Sequence, residues 1–132
     1  MLNLEIVTPE KKVLSESVDS VTIPTASGEV GILQNHAPLI SSLKAGVLSF
    51  TKSGTTERMV IAGGFVEVSQ NNVSILADLA ETADEINLEN ARAERDAAER
   101  ELNAWKGSME EAETERARLE TAQARLQLVS GR

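Results

Sequence analysis

The sequence predicts an α+β chain, with its strands first and its helices after. Three observations predict it. Apolar and polar residues alternate in short runs through the first part of the chain, the period of half-buried strands. From Asp84 onward the apolar residues recur at helical spacing instead. The composition divides near residue 81: all three prolines and six of the eight glycines lie before it. The expected organisation is a β-domain over residues 1–83 and a helical unit over residues 84–132.

Each element has its own signal. Leu2, Leu4 and Ile6 alternate with polar neighbours, and Val21 and Ile23 do so before Pro24. Val30, Ile32 and Leu33 read as another strand. Val47–Phe50 and Arg58–Ala62 flank Lys52-Ser53-Gly54-Thr55, a hairpin signal. Phe65, Val66 and Val68 are separated from Val73, Ile75 and Leu76 by Gln70-Asn71-Asn72, a tight turn in which Asn tolerates positive φ. Gly63-Gly64 marks a bulge or a close backbone approach. Roughly nine short strands at this spacing suggest a sandwich or a flattened barrel.

The helical part begins with Asn87 as N-cap. Leu88, Ala91, Ala98, Leu102 and Trp105 then share one face, and Gly107 breaks the helix. Ser108-Met109-Glu110-Glu111 fits a capping box for a second helix carrying Ala112, Leu119, Ala122, Leu126 and Val129 on one face, ended by Gly131. A break of one or two residues predicts an antiparallel hairpin. Its seams are thin, because alanine offers little apolar area to bury. Ion pairs Asp96–Arg100, Glu113–Arg116 and Glu115–Arg118 add a few tenths of a kcal/mol each at best. Such helices form readily and dock weakly, the profile of an element with two positions.

Charge and composition exclude several functions. The net charge is −8; residues 1–81 hold 9 acidic and 5 basic side chains and residues 82–132 hold 12 and 8, so each part carries −4. An acidic chain with three aromatics (Phe50, Phe65, Trp105) lacks the positive field and the stacking platforms of a nucleic-acid binder. It has no cysteine, hence no disulfide, thiolate metal site or thiol nucleophile. No apolar run reaches membrane-spanning length, and Met1–Val7 lacks the basic start and apolar core of a signal peptide. The chain is expected to remain where it is made, meeting a membrane only through a protein partner.

No residue pattern asks for catalysis or a metal. His36 is the only histidine, and no activated partner surrounds it. Gly28-Glu29-Val30-Gly31 is not a phosphate loop, because a strand follows where a helix N-terminus is needed; positive φ at turns accounts for both glycines. The arginines of the helical part (Arg92, Arg95, Arg100, Arg116, Arg118 and Arg125) suit either a phosphate or acidic partner or a solvated, salt-bridged face, and spacing alone favours the face.

Two longer runs carry a family resemblance. GEVGILQNHAPLISSLKAGVL (Gly28 to Leu48) and AGGFVEVSQNNVSILADLAE (Ala62 to Glu81) resemble the ε subunit of F-type ATP synthases, and the change to an Ala/Glu/Arg hairpin fits as well. The resemblance implies a ten-stranded β-sandwich followed by two C-terminal helices. It implies a non-catalytic place in the central stalk, bound to the γ subunit and resting on the c-ring, with the α and β subunits as further partners. Glu29, Gly31, His36, Ala37 and Pro38 are the positions it implies for the c-ring and γ contact. It also implies a hairpin that can extend along γ and block ATP hydrolysis, with Arg116, Arg118 and Arg125 facing acidic surfaces of the catalytic subunits. Peripheral attachment at the cytoplasmic face of a bacterial or thylakoid membrane follows.

Some members of that family bind ATP in the hairpin through Ile/Leu-Asp-x-x-Arg-Ala. This chain has Ile86-Asn87-Leu88-Glu89-Asn90-Ala91. Asn87 and Asn90 replace both charged positions, and Arg92 falls on a different face. Weak or absent ATP binding is expected, with no cofactor. The competing readings are a free-standing β-sandwich adaptor with a coiled-coil tail and a small nucleotide sensor.

Overall fold

A computed structural model describes residues 1–130, so the helix-ending role expected of Gly131 lies outside the described residues. Ten strands form two five-stranded sheets. One sheet runs in the order β2-β1-β9-β8-β5, from β1 (Leu2–Val7), β2 (Lys12–Val18), β5 (Leu39–Ser42), β8 (Phe65–Ser69) and β9 (Asn72–Leu76). The other runs β10-β7-β6-β3-β4, from β3 (Ser20–Thr25), β4 (Gly28–Ile32), β6 (Gly46–Lys52), β7 (Thr55–Ala62) and β10 (Leu79–Glu81). All pairs are antiparallel except β1 with β9, which places the first strand beside the ninth with Asn3 opposite Asn72.

The inner faces follow the alternation in the sequence. Leu2, Leu4, Ile6, Val66, Val68, Val73 and Ile75 of one sheet meet Val21, Ile23, Ile32, Leu48, Phe50, Met59 and Ile61 of the other, all buried. The structure is a sandwich, as expected, with ten strands where local alternation marks about nine. β3 continues through Pro24 to Thr25, since β6 partners β3 only from Ser20 to Thr22 and asks no amide of Pro24. Both tight turns use left-handed backbone: Ser53 and Gly54 have φ of 52° and 80°, and Gln70 and Asn71 have 50° and 65°.

A 3-10 turn (Ala83–Glu85) leads into α1 (Leu88–Asn103) and then α2 (Glu113–Ser130). Asn87 caps α1, its side chain accepting from the Asn90 amide at 2.9 Å. α1 ends at Asn103, before the expected break at Gly107. Trp105 is therefore not on the α1 face. Its indole N–H turns into the connection and donates to the Ser108 carbonyl at 2.9 Å. The capping box forms, with Glu111 accepting from the Ser108 amide at 3.0 Å and Ser108 Oγ accepting from the Glu111 amide at 3.1 Å. It closes a turn that precedes α2, so the connection is longer than one or two residues.

α2 lies on β6 and β7, and α1 packs on α2. Ala91 and Ala98 of α1 and Ala122 of α2 are buried in the helix–helix seam, as thin as its alanines predict. Ala124 and Leu128 form a second buried side of α2, against Val60, with Val47, Leu79, Ala83 and Ile86 at the margin. Periodicity predicts a single apolar face for α2; with sheet below and helix above, it has two.

Candidate functional site: an edge tip, an apolar face and a docked hairpin

The first candidate region is the excursion from β4 to β5. These are edge strands of opposite sheets, so residues 33–38 cross from one sheet to the other along one side of the sandwich. The β3–β4 turn is fixed by Thr25, whose buried hydroxyl donates to the Gly28 carbonyl at 2.6 Å, while Gly28 takes φ 110°. Glu29 and Gly31 are exposed on β4, opposite Pro24 and Thr22. A positive φ does not explain Gly31: the structure places it in ordinary strand conformation, with nothing within 4 Å of an added Cβ. The fold itself leaves room for a side chain there.

His36, Ala37 and Pro38 lie in the crossing. The His36 amide donates to the Leu33 carbonyl at 3.1 Å, closing a turn with Asn35 at φ 66°. The Asn35 amide donates to Asn71 Oδ1 at 2.7 Å, which ties the crossing to the β8–β9 turn. His36 Nδ1 lies 2.6 Å from the Ala37 carbonyl, a contact in which the ring nitrogen donates. Among the described residues the ring's hydrogen-bond partner is thus main chain beside it, which holds the ring as a shape in the loop. Gly31, Leu33, Ala37 and Pro38 are exposed on this side, and His36 is half-buried among them.

A second feature was missed by sequence reasoning. On the outer face of the β2-β1-β9-β8-β5 sheet, Phe65 and Leu76 are register partners and both 58% exposed. Ile40 on β5, 73% exposed, sits diagonally across from Phe65, because Ser42 is opposite Phe65 and Ile40 is two residues away on the same side. These three apolar side chains form a stripe across three strands. Alternation alone marks Phe65 and Leu76 as strand residues without saying that they face out.

The third region is the docked hairpin. Arg125 grips Glu81 at the end of β10 with two bonds, Nε to Oε1 at 2.7 Å and Nη2 to Oε2 at 3.1 Å. Arg118 bonds Glu94 of α1 at 2.7 Å and Glu115 of α2 at 3.2 Å. Arg116 bonds the Met109 carbonyl at 2.8 Å and also Glu113. The structure thus gives all three arginines partners within the chain. Glu113–Arg116 and Glu115–Arg118 pair as expected, whereas Asp96 accepts from Arg95 at 3.2 Å rather than from Arg100. The Arg118 guanidinium beside Glu94 lowers the Glu94 carboxyl below its ordinary value.

Asn87 and Asn90 line a cleft of about 190 Å³ with Glu81, Glu85, Ile86, Ala91, Glu94 and Arg125. Three carboxylates and one arginine, itself engaged by Glu81, form its charge. Arg92 is not part of the lining and pairs with Glu89 at 3.6 Å on the exposed side of α1. Glu85 is held below its ordinary carboxylate value by the Thr82 amide and hydroxyl that donate to it.

Similarity to known proteins fits this arrangement. Residues 1–83 match the family described as ATP synthase, Delta/Epsilon chain, beta-sandwich domain. An ATP synthase epsilon chain of Nitratidesulfovibrio vulgaris (strain DP4) is 43% identical over 127 residues, 96% of this chain and 94% of that one. That of Desulfitobacterium hafniense (strain Y51) is 47% identical over 104 residues, 79% of each chain. Among solved structures, a chain of the Euglena gracilis mitochondrial ATP synthase, imaged as OSCP/F1/c-ring in rotational state 1, matches with a TM-score of 0.80 and 25% identity, covering 93% of this chain and 78% of that one. With the sandwich matched throughout and one relative spanning nearly the whole chain, this protein belongs to the epsilon-chain family of F-type ATP synthases, non-catalytic subunits of the central stalk.

Proposed function

We propose that this chain couples c-ring rotation to the γ subunit of an ATP synthase, and that its helical hairpin restrains ATP hydrolysis when it leaves the sandwich. The stripe of Ile40, Phe65 and Leu76 carries the coupling reading. An outward apolar stripe on a sheet of a monomer marks a partner surface. It seats γ, and the exposed edge from Glu29 to Pro38 meets the c-ring loops. Gly31 supports the edge contact, since an exposed glycine that its own fold does not require leaves space for a partner backbone. The subunit sits at the cytoplasmic face of the membrane, held there by the c-ring.

The test uses the assembled enzyme. Phe65→Glu with Leu76→Glu is expected to abolish copurification with γ by burying two charges in the contact. Glu29→Lys and His36→Ala are expected to keep γ and weaken coupling of proton flow to ATP synthesis. Retention of γ by the double Glu variant would overturn the placement. Removal of residues 84–132 is expected to raise ATP hydrolysis, and an unchanged rate removes the inhibitory role.

ATP binding by the hairpin is weak or absent in this reading. What supports it is the acidic cleft around Asn87 and Asn90, which repels polyphosphate and offers no free arginine from its lining. Titration of the isolated chain with ATP checks it; a micromolar affinity would overturn it.

A further inference from the structure

We infer that the Glu81–Arg125 ion pair is the clasp of the docked hairpin, and that its strength sets how often the hairpin lifts from the sandwich. The inference deepens the inhibitory reading above and rests on it for its consequence in the enzyme, though not for the clasp itself.

The geometry singles out this pair. Glu81 is the last residue of β10 and Arg125 lies within α2, so the two bonds join the sandwich directly to the helix that docks on it. Each side chain is only 24% exposed. Among the described residues a second ion pair joins the two parts, Lys44–Glu120 at 3.2 Å, but it is 55% and 37% exposed and single-pronged. A sheltered, two-pronged guanidinium–carboxylate pair is stronger and better directed than an exposed ammonium pair. Its neighbours are already engaged elsewhere, although Glu94 lies near enough to feel the Arg125 charge. Glu94 shares the cleft but is engaged by Arg118, and Glu85 is engaged by the Thr82 amide and hydroxyl. Loss of either member leaves the other partly buried and without its counter-charge.

The apolar part of the contact is small enough for one ion pair to matter. Its buried members are Val60, Ala124 and Leu128. α1 adds little to the hold, because it packs on α2. Arg125 also serves two masters in turn. While it grips Glu81 it is withheld from any acidic surface outside the chain, and the clasp must open before the arginine is presented. The compact form thereby hides part of its own inhibitory contact.

The test exploits the absence of cysteine from the sequence. Val60→Cys places a single thiol on the outer face of the sheet, fully buried beneath α2. A thiol reagent reaches it through lifting of the hairpin, so the labelling rate reports the open fraction. In the full-length chain, Glu81→Gln is expected to raise that rate about tenfold or more, and Arg125→Gln likewise. Exchanging the two residues, Glu81→Arg with Arg125→Glu, is expected to recover most of the slow rate. Lys44→Gln is expected to change it by less than about twofold. A separate Val68→Cys thiol in the sandwich core monitors unfolding and is expected to stay slow. An unchanged Val60→Cys rate in the Glu81→Gln chain overturns the clasp, as does an equal rise at Val68→Cys.

The assembled enzyme then separates the two levels. Glu81→Gln frees Arg125 with its charge intact, so ATP hydrolysis is expected to fall several-fold. Arg125→Gln frees the hairpin but removes the outside contact, so it is expected to inhibit less. Faster labelling with unchanged hydrolysis would uphold the clasp and overturn the inhibitory reading.

Discussion

A methyl group added at Gly64 would lie 1.8 Å from the Leu76 carbonyl oxygen, in a residue already at φ 92°. The neighbouring Gly63, at φ 69°, differs in that an added methyl would meet a side chain, the Asp78 carboxylate at 2.2 Å, whereas at Gly64 the obstacle is main chain. Here two chain segments touch through their backbones. Gly64→Ala is expected to destabilise the sandwich by more than about 2 kcal/mol, from left-handed strain plus displacement of backbone that cannot swing away. Urea unfolding of the variant measures it. Gly31→Ala is the contrasting case: with open space and ordinary φ, its midpoint of urea unfolding is expected to stay within the error of the parent. The Gly63-Gly64 dipeptide is legible in the sequence because adjacent glycines have few other uses inside a strand pattern. Gly28 and Gly31 are not told apart in that way, since the one at φ 110° and the one in plain strand conformation are written with the same letter.

The helix caps are the most legible elements, since their bonds join residues three apart. Asn87 and the Ser108–Glu111 pair stand where the sequence places them. Asn87→Ala is expected to cost the hairpin about 1 kcal/mol, measured as lost helicity on heating by circular dichroism. Trp105 and the Ala124–Leu128 side of α2 were not legible, because helical spacing cannot say where a side chain leaves the helix or how many neighbours the helix has. The same elements give a pH dependence. Arg118 lowers Glu94, the Ser108 amide and hydroxyl lower Glu111, and the Thr82 amide and hydroxyl lower Glu85. A carboxylate lowered on folding contributes stability that is complete above its unfolded value and is lost as pH falls through its folded value. The stability these groups lend the hairpin, read as its helicity, is therefore expected to hold at mildly acidic pH, to start falling in the ordinary carboxylate range and to be lost as pH drops through the lowered values. An earlier decline, at pH 5 to 6, would contradict this assignment of the three groups.

At the scale of the whole molecule, the principal core is built from the sandwich alone: every buried member of it lies between Leu2 and Ala77. A chain ending at residue 83 is expected to fold and unfold cooperatively, with a melting temperature lowered by a few degrees. Its bared Val47, Val60 and Leu79 are expected to bind a hydrophobic dye that the full chain excludes. Calorimetry and dye fluorescence check the two halves of this expectation. The two-part plan was legible because period and composition change together near residue 81. The outward apolar stripe was not, since Ile40, Phe65 and Leu76 look like any strand residues until their outward direction is known. The parallel pairing of β1 with β9 has one more consequence, for synthesis of the chain. Asn3 meets Asn72 across 69 residues, so the first strand made waits for nearly the last of its domain. Until then β1 has only β2 beside it, and its other edge stays open. The sandwich cannot close while its C-terminal strands are still inside the ribosome. A nascent chain stalled before Leu76 clears the exit tunnel should remain protease-sensitive, and one stalled beyond it should become resistant in a single step.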